Sequence, residues 1–181
     1  MSEQANIAKK WWYALNNKVH PDRAALAQLR RCANAADALT VMQAVRLARM
    51  LGYDKPDMKK IDDALELAIL LAHVREDDHL PLMRAAGWKS FPGEKKETDA
   101  PAGERPLLSE LRFRRLLKTT RGERLEAFKR LVRQLKGKAN IADLTNSYLF
   151  WGDKVRKDWA FDYYNAPIAK TDTETNQGAA A

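Results

Sequence analysis

The sequence predicts an all-α protein, and three observations support this class. The strongest helix formers (Ala, Leu, Arg, Lys and Glu) are abundant. Apolar residues recur at the helical spacing of three and four, and stretches in which apolar and polar residues alternate are nearly absent. The chain has 181 residues, of which 45% are hydrophobic and 31% are charged. It is therefore long enough to bury the core of one domain or of two small ones.

Four helices are expected in the first half of the chain. The first spans residues 5–18 and carries three consecutive aromatic residues, Trp11 to Tyr13, which cannot all face one core. Asp22 is placed to cap the second helix, which continues to Cys32. A third helix is expected over residues 34–51, before Gly52. The fourth spans residues 57–74 and should show an acidic, mixed surface beside its apolar face. This half is typical of a small bundle.

The composition changes over residues 88–106, which hold three prolines, two glycines and many charges. We interpret this segment as a flexible linker. The chain is thus divided into an N-terminal helical lobe (1–87), the linker, a C-terminal helical lobe (107–164) and a tail (165–181) whose composition is typical of disorder. The expected fold is two small helical bundles joined by a flexible loop.

The C-terminal lobe begins with a helix over residues 107–119. Thr120 and Glu123 then have the spacing of a capping box, in which each residue satisfies a free amide at the start of the next helix. That helix should run to about residue 136, where Gly137 can end it. Asn140 is placed to cap a further helix, and a last helix is expected over residues 153–164, after Gly152.

Positive charge is concentrated in the C-terminal lobe. The net charge of the whole chain is +8, with a pI of about 9.6. Residues 105–157, called the basic region below, carry 15 basic and five acidic side chains, a net charge of +10. A run of basic residues is often only a solvated surface. Concentration to this degree favours a surface that binds a polyanion such as nucleic acid.

Helical spacing separates the basic side chains of this region from the apolar ones. In the helix over residues 107–119, Arg114, Arg115 and Lys118 lie away from the apolar face. In the next helix, Lys129 and Arg133 lie beside the apolar face, with Arg130 further round and Lys136 in the same stripe. Acidic partners four residues away are few: Glu110 can meet Arg114, and Glu126 can meet Arg130. Two neighbouring basic stripes could therefore line one groove.

No feature of the sequence indicates an enzyme, and no cofactor is expected. The segment HVREDDH, from His73 to His79, contains metal-ligating residue types but lacks the order HExxH that puts two ligands one helical turn apart. Asp62, Asp63 and Glu66 are interpreted as a helix surface. The phosphate-binding glycine loops and the nucleophile motifs of hydrolases are absent as well. The chain contains no run of apolar residues long enough for a membrane span, and we expect a cytoplasmic protein.

The order of these segments resembles a known family. Trp12 and Leu15 stand in an opening Trp-x-x-Leu helix that is followed by RAALAQLRR. The second half contains LLSELRFRRLLKTTRGERLEAFKRLVRQLKG and closes on DLTNSYLFWGDKVRKDWAFDYY. Over residues 5–164 the chain is similar to CasB, the small subunit of the type I-E CRISPR surveillance complex called Cascade. Asp153 departs from the pattern, because relatives often carry a basic residue there.

The resemblance implies a non-catalytic subunit, usually present in two copies, beside other Cascade subunits and a guide RNA. Its basic surface would hold the displaced, single-stranded non-target DNA strand and stabilise the R-loop in antiviral defence. Carried over by position, the residues implied for DNA contact are Arg30, Arg31, Arg112, Arg114, Arg115, Lys118, Arg121, Lys129, Arg130, Arg133, Lys154 and Arg156. Two alternatives stay open at this point: a helical adaptor that docks acidic protein partners, and a standalone DNA-binding regulator.

Overall fold

The computed structural model describes residues 2–53, 57–89 and 106–165, and in these ranges the secondary structure is almost entirely helical. The predicted all-α class is confirmed. The helices are α1 (Glu3–Leu15), α2 (Arg23–Arg31), α3 (Ala35–Ala38), α4 (Met42–Met50), α5 (Met58–Ala72), α6 (Leu82–Ala86), α7 (Glu110–Leu117), α8 (Arg124–Gln134), α9 (Ile141–Leu149) and α10 (Asp153–Tyr163). A single 3-10 turn, Arg121–Glu123, precedes α8.

Helix boundaries follow the capping residues that the sequence indicated. The Asp22 carboxylate accepts a hydrogen bond from the Ala25 amide at 3.0 Å, at the start of α2. The Asn140 side chain accepts one from the Asp143 amide, also at 3.0 Å, at the start of α9. Each bond satisfies one of the amides that a helix leaves free in its first turn. After α8 the chain turns through Gly137, whose φ of 81° lies in the left-handed region that glycine adopts without strain.

The prediction of one helix over residues 34–51 was wrong, because this stretch forms two helices, α3 and α4. Asn34 caps α3, which ends after one turn. The Thr40 hydroxyl then donates to the Asp37 carbonyl at 2.8 Å. Such a side-chain bond offers the backbone an alternative to continuing the helix, so the chain turns before α4 starts. The short helix α6 was not predicted either.

Helix α5 is the central element of the fold. From Leu65 to Ala72 every side chain is buried except the half-buried Glu66. Helices α2, α3 and α4 pack on α5 from the first half of the chain, and α8 and α9 pack on it from the second half. The interpretation of Asp63 as a helix surface was wrong, because this residue is only 8% exposed. Only the first turns of α5, which include the exposed Asp62, keep a solvated face, because the rest of the helix is covered on nearly all sides.

The two halves of the chain share one continuous hydrophobic core. Helix α1 packs on α9, and α6 packs on α10. Two short parallel strands, β1 (Glu76–Asp77) and β2 (Lys138–Ala139), also join the halves. The predicted division at residues 88–106 stays a prediction, and residues 90–105 and 166–181 lie outside the described ranges. Within residues 2–53, 57–89 and 106–165, no helix is long and apolar enough to span a membrane.

Candidate nucleic-acid interface

A groove of about 880 Å³ runs between α7 and the 3-10 turn with α8. Five cationic side chains line it, and all five belong to the set that the sequence indicated. They are Arg112, Arg115, Lys118, Arg130 and Arg133. The two amphipathic helices of the basic region therefore do contribute to one groove.

The apolar residues of α7 and α8 determine which side chains face this groove. Phe113 of α7 and Phe128 of α8 are at most 1% exposed, and both belong to the shared core. Residues on the far side of each helix are left at the surface. Leu116 and Leu131 are buried at the floor of the groove. The burial of one face of each helix thus leaves the basic face open.

The five groove cations have no carboxylate within salt-bridge distance among the residues of the described ranges. Two acidic residues do line the groove, but both carboxylates have other partners. The Glu123 carboxylate accepts hydrogen bonds from the amide and the hydroxyl of Thr120, at 3.2 and 2.7 Å. Glu126 pairs with Lys129 at 2.6 Å. These hydrogen bonds lower the pKa of Glu123 and that of Glu126 below their ordinary values.

Several other residues of the indicated set have local acidic partners. Arg114 pairs with Glu110 at 3.4 Å, as the sequence predicted, and Lys154 pairs with Asp158 at 2.9 Å. The expected pair of Glu126 with Arg130 is replaced by the pair with Lys129, whose side chain is only 12% exposed. The solvated pairs of Arg114 and Lys154 contribute little to stability, but they do lower the positive charge that the surface presents.

Arg156 is held in place by the chain itself. Its guanidinium group lies 5.3 Å from the centre of the Trp151 ring, as in a cation–π contact. It also pairs with Asp153 at 3.3 Å and donates to the Thr119 carbonyl at 3.4 Å. Asp153, the departure from the family pattern, thus neutralises the charge of Arg156 locally.

Arg121 and Arg124 both pair with the buried Asp63 of α5. Arg121 donates to the Asp63 carboxylate at 2.8 Å. Arg124 also binds Asp63, donates to the Tyr148 carbonyl at 3.0 Å, and lies 4.2 Å from the centre of the Tyr148 ring. The side chain of Arg124 is 5% exposed, and Glu66 lies 3.8 Å from it. These contacts hold α8 on α5.

The role of Arg124 was missed, although the sequence contains a signal for it. Arg124, Phe128, Leu131 and Leu135 are spaced by four, three and four residues, so they share one helix face. An arginine on an apolar face must have a buried counter-charge, because an unpaired buried charge is very costly. That spacing points to an acid in another element, although it cannot identify Asp63.

Arg30, near the end of α2, and two cations of α8 act on one histidine, His73. Arg30 donates from Nε to the carbonyl of Ala72, at the end of α5, at 2.7 Å. His73 follows, and the pKa of its imidazole is lowered by burial and by the positive charges of Lys129, Arg30 and Arg133. Arg31 is exposed and has no acidic partner in the described part of the chain. Cations of α2 and α8 therefore lie around the same imidazole.

The acidic segment after α5 has a structural role. Asp77 pairs with Lys9 at 2.8 Å, and it accepts hydrogen bonds from the Tyr13 hydroxyl at 3.0 Å and the Ile141 amide at 3.1 Å. Glu76 pairs with Lys138 across the two short strands at 3.0 Å. No group of three or more metal-ligating side chains occurs in the part of the chain that the structure describes.

Comparisons with known proteins agree with the resemblance. The family model of the CRISPR-associated protein Cse2 matches residues 25–164, which is most of the chain. Among solved structures, a chain in the crystal structure of E. coli Cascade bound to a PAM-containing double-stranded DNA target has a similar fold. The TM-score is 0.61 and the sequence identity 17%, over 88% of this chain and 97% of that chain. Curated proteins give no sequence match.

Proposed function

Because the chain belongs to the CRISPR-associated Cse2 family, also called CasB, we propose that it holds the displaced non-target DNA strand within a type I-E Cascade complex. In this role it is a small, non-catalytic subunit that stabilises the R-loop. The sequence of the target is read by base pairing with the guide RNA, so the subunit itself needs no base-specific contacts.

The observation that carries this proposal is the groove between α7 and α8. Its five cations have no acidic partner in the described ranges, whereas the other arginines and lysines of the set mostly have one. Unpaired cations in one groove repel each other, and the phosphates of a nucleic acid relieve this repulsion. No aromatic side chain is among the described residues that line the groove. This favours contact with the phosphate backbone over stacking with bases, as a strand of arbitrary sequence requires.

The contacts of the residues that the resemblance indicated support dividing them into those that bind phosphate and those that stabilise the fold. We assign direct phosphate contact to the five groove cations, with Arg31, at the C-terminal end of α2, as an additional contact. Arg121 is assigned to holding α8 on α5, because its partner is the buried Asp63. Guide RNA and the other Cascade subunits, together with a second copy of this chain, are the proposed partners of the assembled protein.

Binding of a fluorescent single-stranded DNA to the isolated protein tests the proposal. Affinity is measured by anisotropy over a salt series. Each phosphate contact with a single strand contributes about 0.7 to the slope of log affinity against log salt, so the five groove contacts account for about 3.5 of that slope. Replacement of Arg112, Arg115 and Arg133 by alanine should reduce the slope by roughly 2.1. DNA of different sequences should bind with similar affinity.

Arg114→Ala and Lys154→Ala are the matched controls. Both residues are exposed and basic, but each has a local carboxylate partner and neither lines the groove. Their single substitutions should change the slope by much less than one contact. If the triple variant binds single-stranded DNA with the affinity and the slope of the wild type, the groove is not the DNA-binding surface and the proposal fails.

A further inference from the structure

Helix α4 carries apolar residues on two faces, and the part of the chain that the structure describes covers only one of them. Ala44, Leu47 and Ala48 are at most 4% exposed and face the core. On the opposite side Met42 is 77% exposed and Met50 is 39% exposed. An ordinary surface helix has a single apolar stripe and a polar outer face. The packing of the described residues therefore does not account for the second stripe of α4.

The outer residues have the spacing of a helix-packing seam. Met42, Val45, Arg46, Arg49 and Met50 stand at positions i, i+3, i+4, i+7 and i+8, and together they line a shallow pocket of about 510 Å³. We call these five residues the outer stripe. This spacing is that of residues that meet another helix along its length. Methionine side chains are flexible and polarisable, so they adapt to the surface of a partner.

The chemistry of the outer stripe differs from that of the DNA groove. Arg46 and Arg49 are exposed, and no carboxylate pairs with them among the described residues. Arginine and methionine are enriched in protein interfaces, whereas lysine is depleted there, and the outer stripe contains no lysine. An exposed methionine offers nothing to a phosphate. The combination favours a protein partner that carries apolar side chains flanked by carboxylates.

We propose that the outer stripe of α4 docks an amphipathic, acidic helix of another protein subunit of the assembly. Apolar side chains of that helix pack against Met42, Val45 and Met50, and its carboxylates pair with Arg46 and Arg49. The chain then has two separate working surfaces, the groove for nucleic acid and the outer stripe for protein. The inference rests on the proposed function insofar as it takes the chain to be a subunit of Cascade.

The first test measures how much of the chain remains in the complex. The complete Cascade is assembled with guide RNA, and the amount of the chain per complex is measured by native mass spectrometry over a concentration series. Replacing both Met42 and Met50 by serine should weaken retention about tenfold or more, as for residues at the centre of an interface. Arg46→Glu should weaken it as well. Val19→Ser and Lys10→Glu are the controls, since Val19 is 75% exposed and Lys10 is an exposed cation.

The two proposals fail in different ways. The serine variant should keep the melting temperature of the wild type, because the changed side chains lie outside the core, and it should bind single-stranded DNA as the wild type does. If the alanine variant of Arg112, Arg115 and Arg133 loses DNA binding, the docking inference is not affected. Wild-type retention of the serine variant in the complex overturns it, whatever the DNA-binding result.

A photo-crosslinking residue at position 42 in the assembled complex identifies the occupant. The expected product is a peptide from a different protein subunit, with acidic residues at helical spacing. A crosslink to nucleic acid, to a second copy of this chain or to another segment of the same chain overturns the inference. The inference is also overturned if position 42 gives no crosslink, like the control position 19, and the serine substitutions leave retention unchanged.

Discussion

Removing the Asp63 carboxylate should be one of the most destabilising single changes at a charged residue of this chain. Asp63 lies on the central helix α5 and receives both Arg121 and Arg124. In Asp63→Ala, Arg124 keeps the carbonyl and the ring of Tyr148, at 3.0 and 4.2 Å, and the more distant Glu66, at 3.8 Å. A guanidinium group with a side chain only 5% exposed is then left in the core without an adequate counter-charge.

The contacts predict an asymmetry between the two partners of this pair. Removing one partner of a buried ion pair typically costs about 3–5 kcal/mol of the free energy of unfolding, and we expect Asp63→Ala to lie in that range. Arg124→Met should cost less, about 1–3 kcal/mol, because it mainly leaves the Tyr148 carbonyl without a donor. Asp63 then still has Arg121 at 2.8 Å. For a chain of this size Asp63→Ala should lower the melting temperature by roughly 6–20 °C.

Urea denaturation followed by far-UV circular dichroism measures both costs. Asp62→Ala is the matched control, because Asp62 is the neighbouring residue on the same helix but is exposed, and it should change the free energy of unfolding by about 0.5 kcal/mol or less. The double variant of Asp63 and Arg124 should be less destabilised than the sum of the single variants. The reasoning is refuted if Asp63→Ala is no more destabilising than Asp62→Ala, or if Arg124→Met is the costlier change.

Three further predictions follow from single contacts. Burial and the nearby cations hold the pKa of His73 below its ordinary value. As the pH falls, this histidine is therefore protonated at a higher pH in the unfolded chain than in the folded one. The melting temperature should therefore fall as the pH drops below about 6.5, and His73→Gln should flatten this dependence. Gly87→Ala should destabilise by about 2 kcal/mol or more in urea denaturation, because its Cβ would lie 2.1 Å from the Tyr163 carbonyl oxygen. Alanine at Arg115 and Arg133 should leave the melting temperature within about 2 °C of the wild type, since exposed residues without partners contribute little to stability.

Much of the fold could be predicted from the sequence because its signals are local. Asp22 and Asn140 cap the helices that were assigned to them, and the buried positions of α8 have the expected helical spacing. The break between α3 and α4 could not be predicted, because the side-chain bond of Thr40 competes with the helix only when packing favours the turn. The two short strands that join the halves were missed for a similar reason. Pairing of two residues with two others leaves no periodicity in either segment.

The candidate site was predictable in composition but not in arrangement. Helical spacing placed Arg115 away from the apolar face of its helix and Arg133 beside that of the next helix, and the structure brings both to one groove. Spacing also grouped Lys129 with Arg133, yet Lys129 is largely covered and pairs with Glu126. A helical wheel gives the direction of a side chain. It does not show which surface of another element lies opposite.

Partners that are distant in the sequence decide which arginines are available for a ligand. Counting carboxylates four residues away correctly assigned Glu110 to Arg114, but it missed Asp63, which is 58 residues from Arg121. A guanidinium group that is removed from water must receive a counter-charge from the fold, whereas an exposed one can stay solvated until an anion binds. Arginines with buried acidic partners therefore stabilise the fold and are not available to bind a ligand. The arginines of the groove have no acidic partner among the described residues. This difference, more than the total positive charge, distinguishes a phosphate-binding surface from one that is only basic.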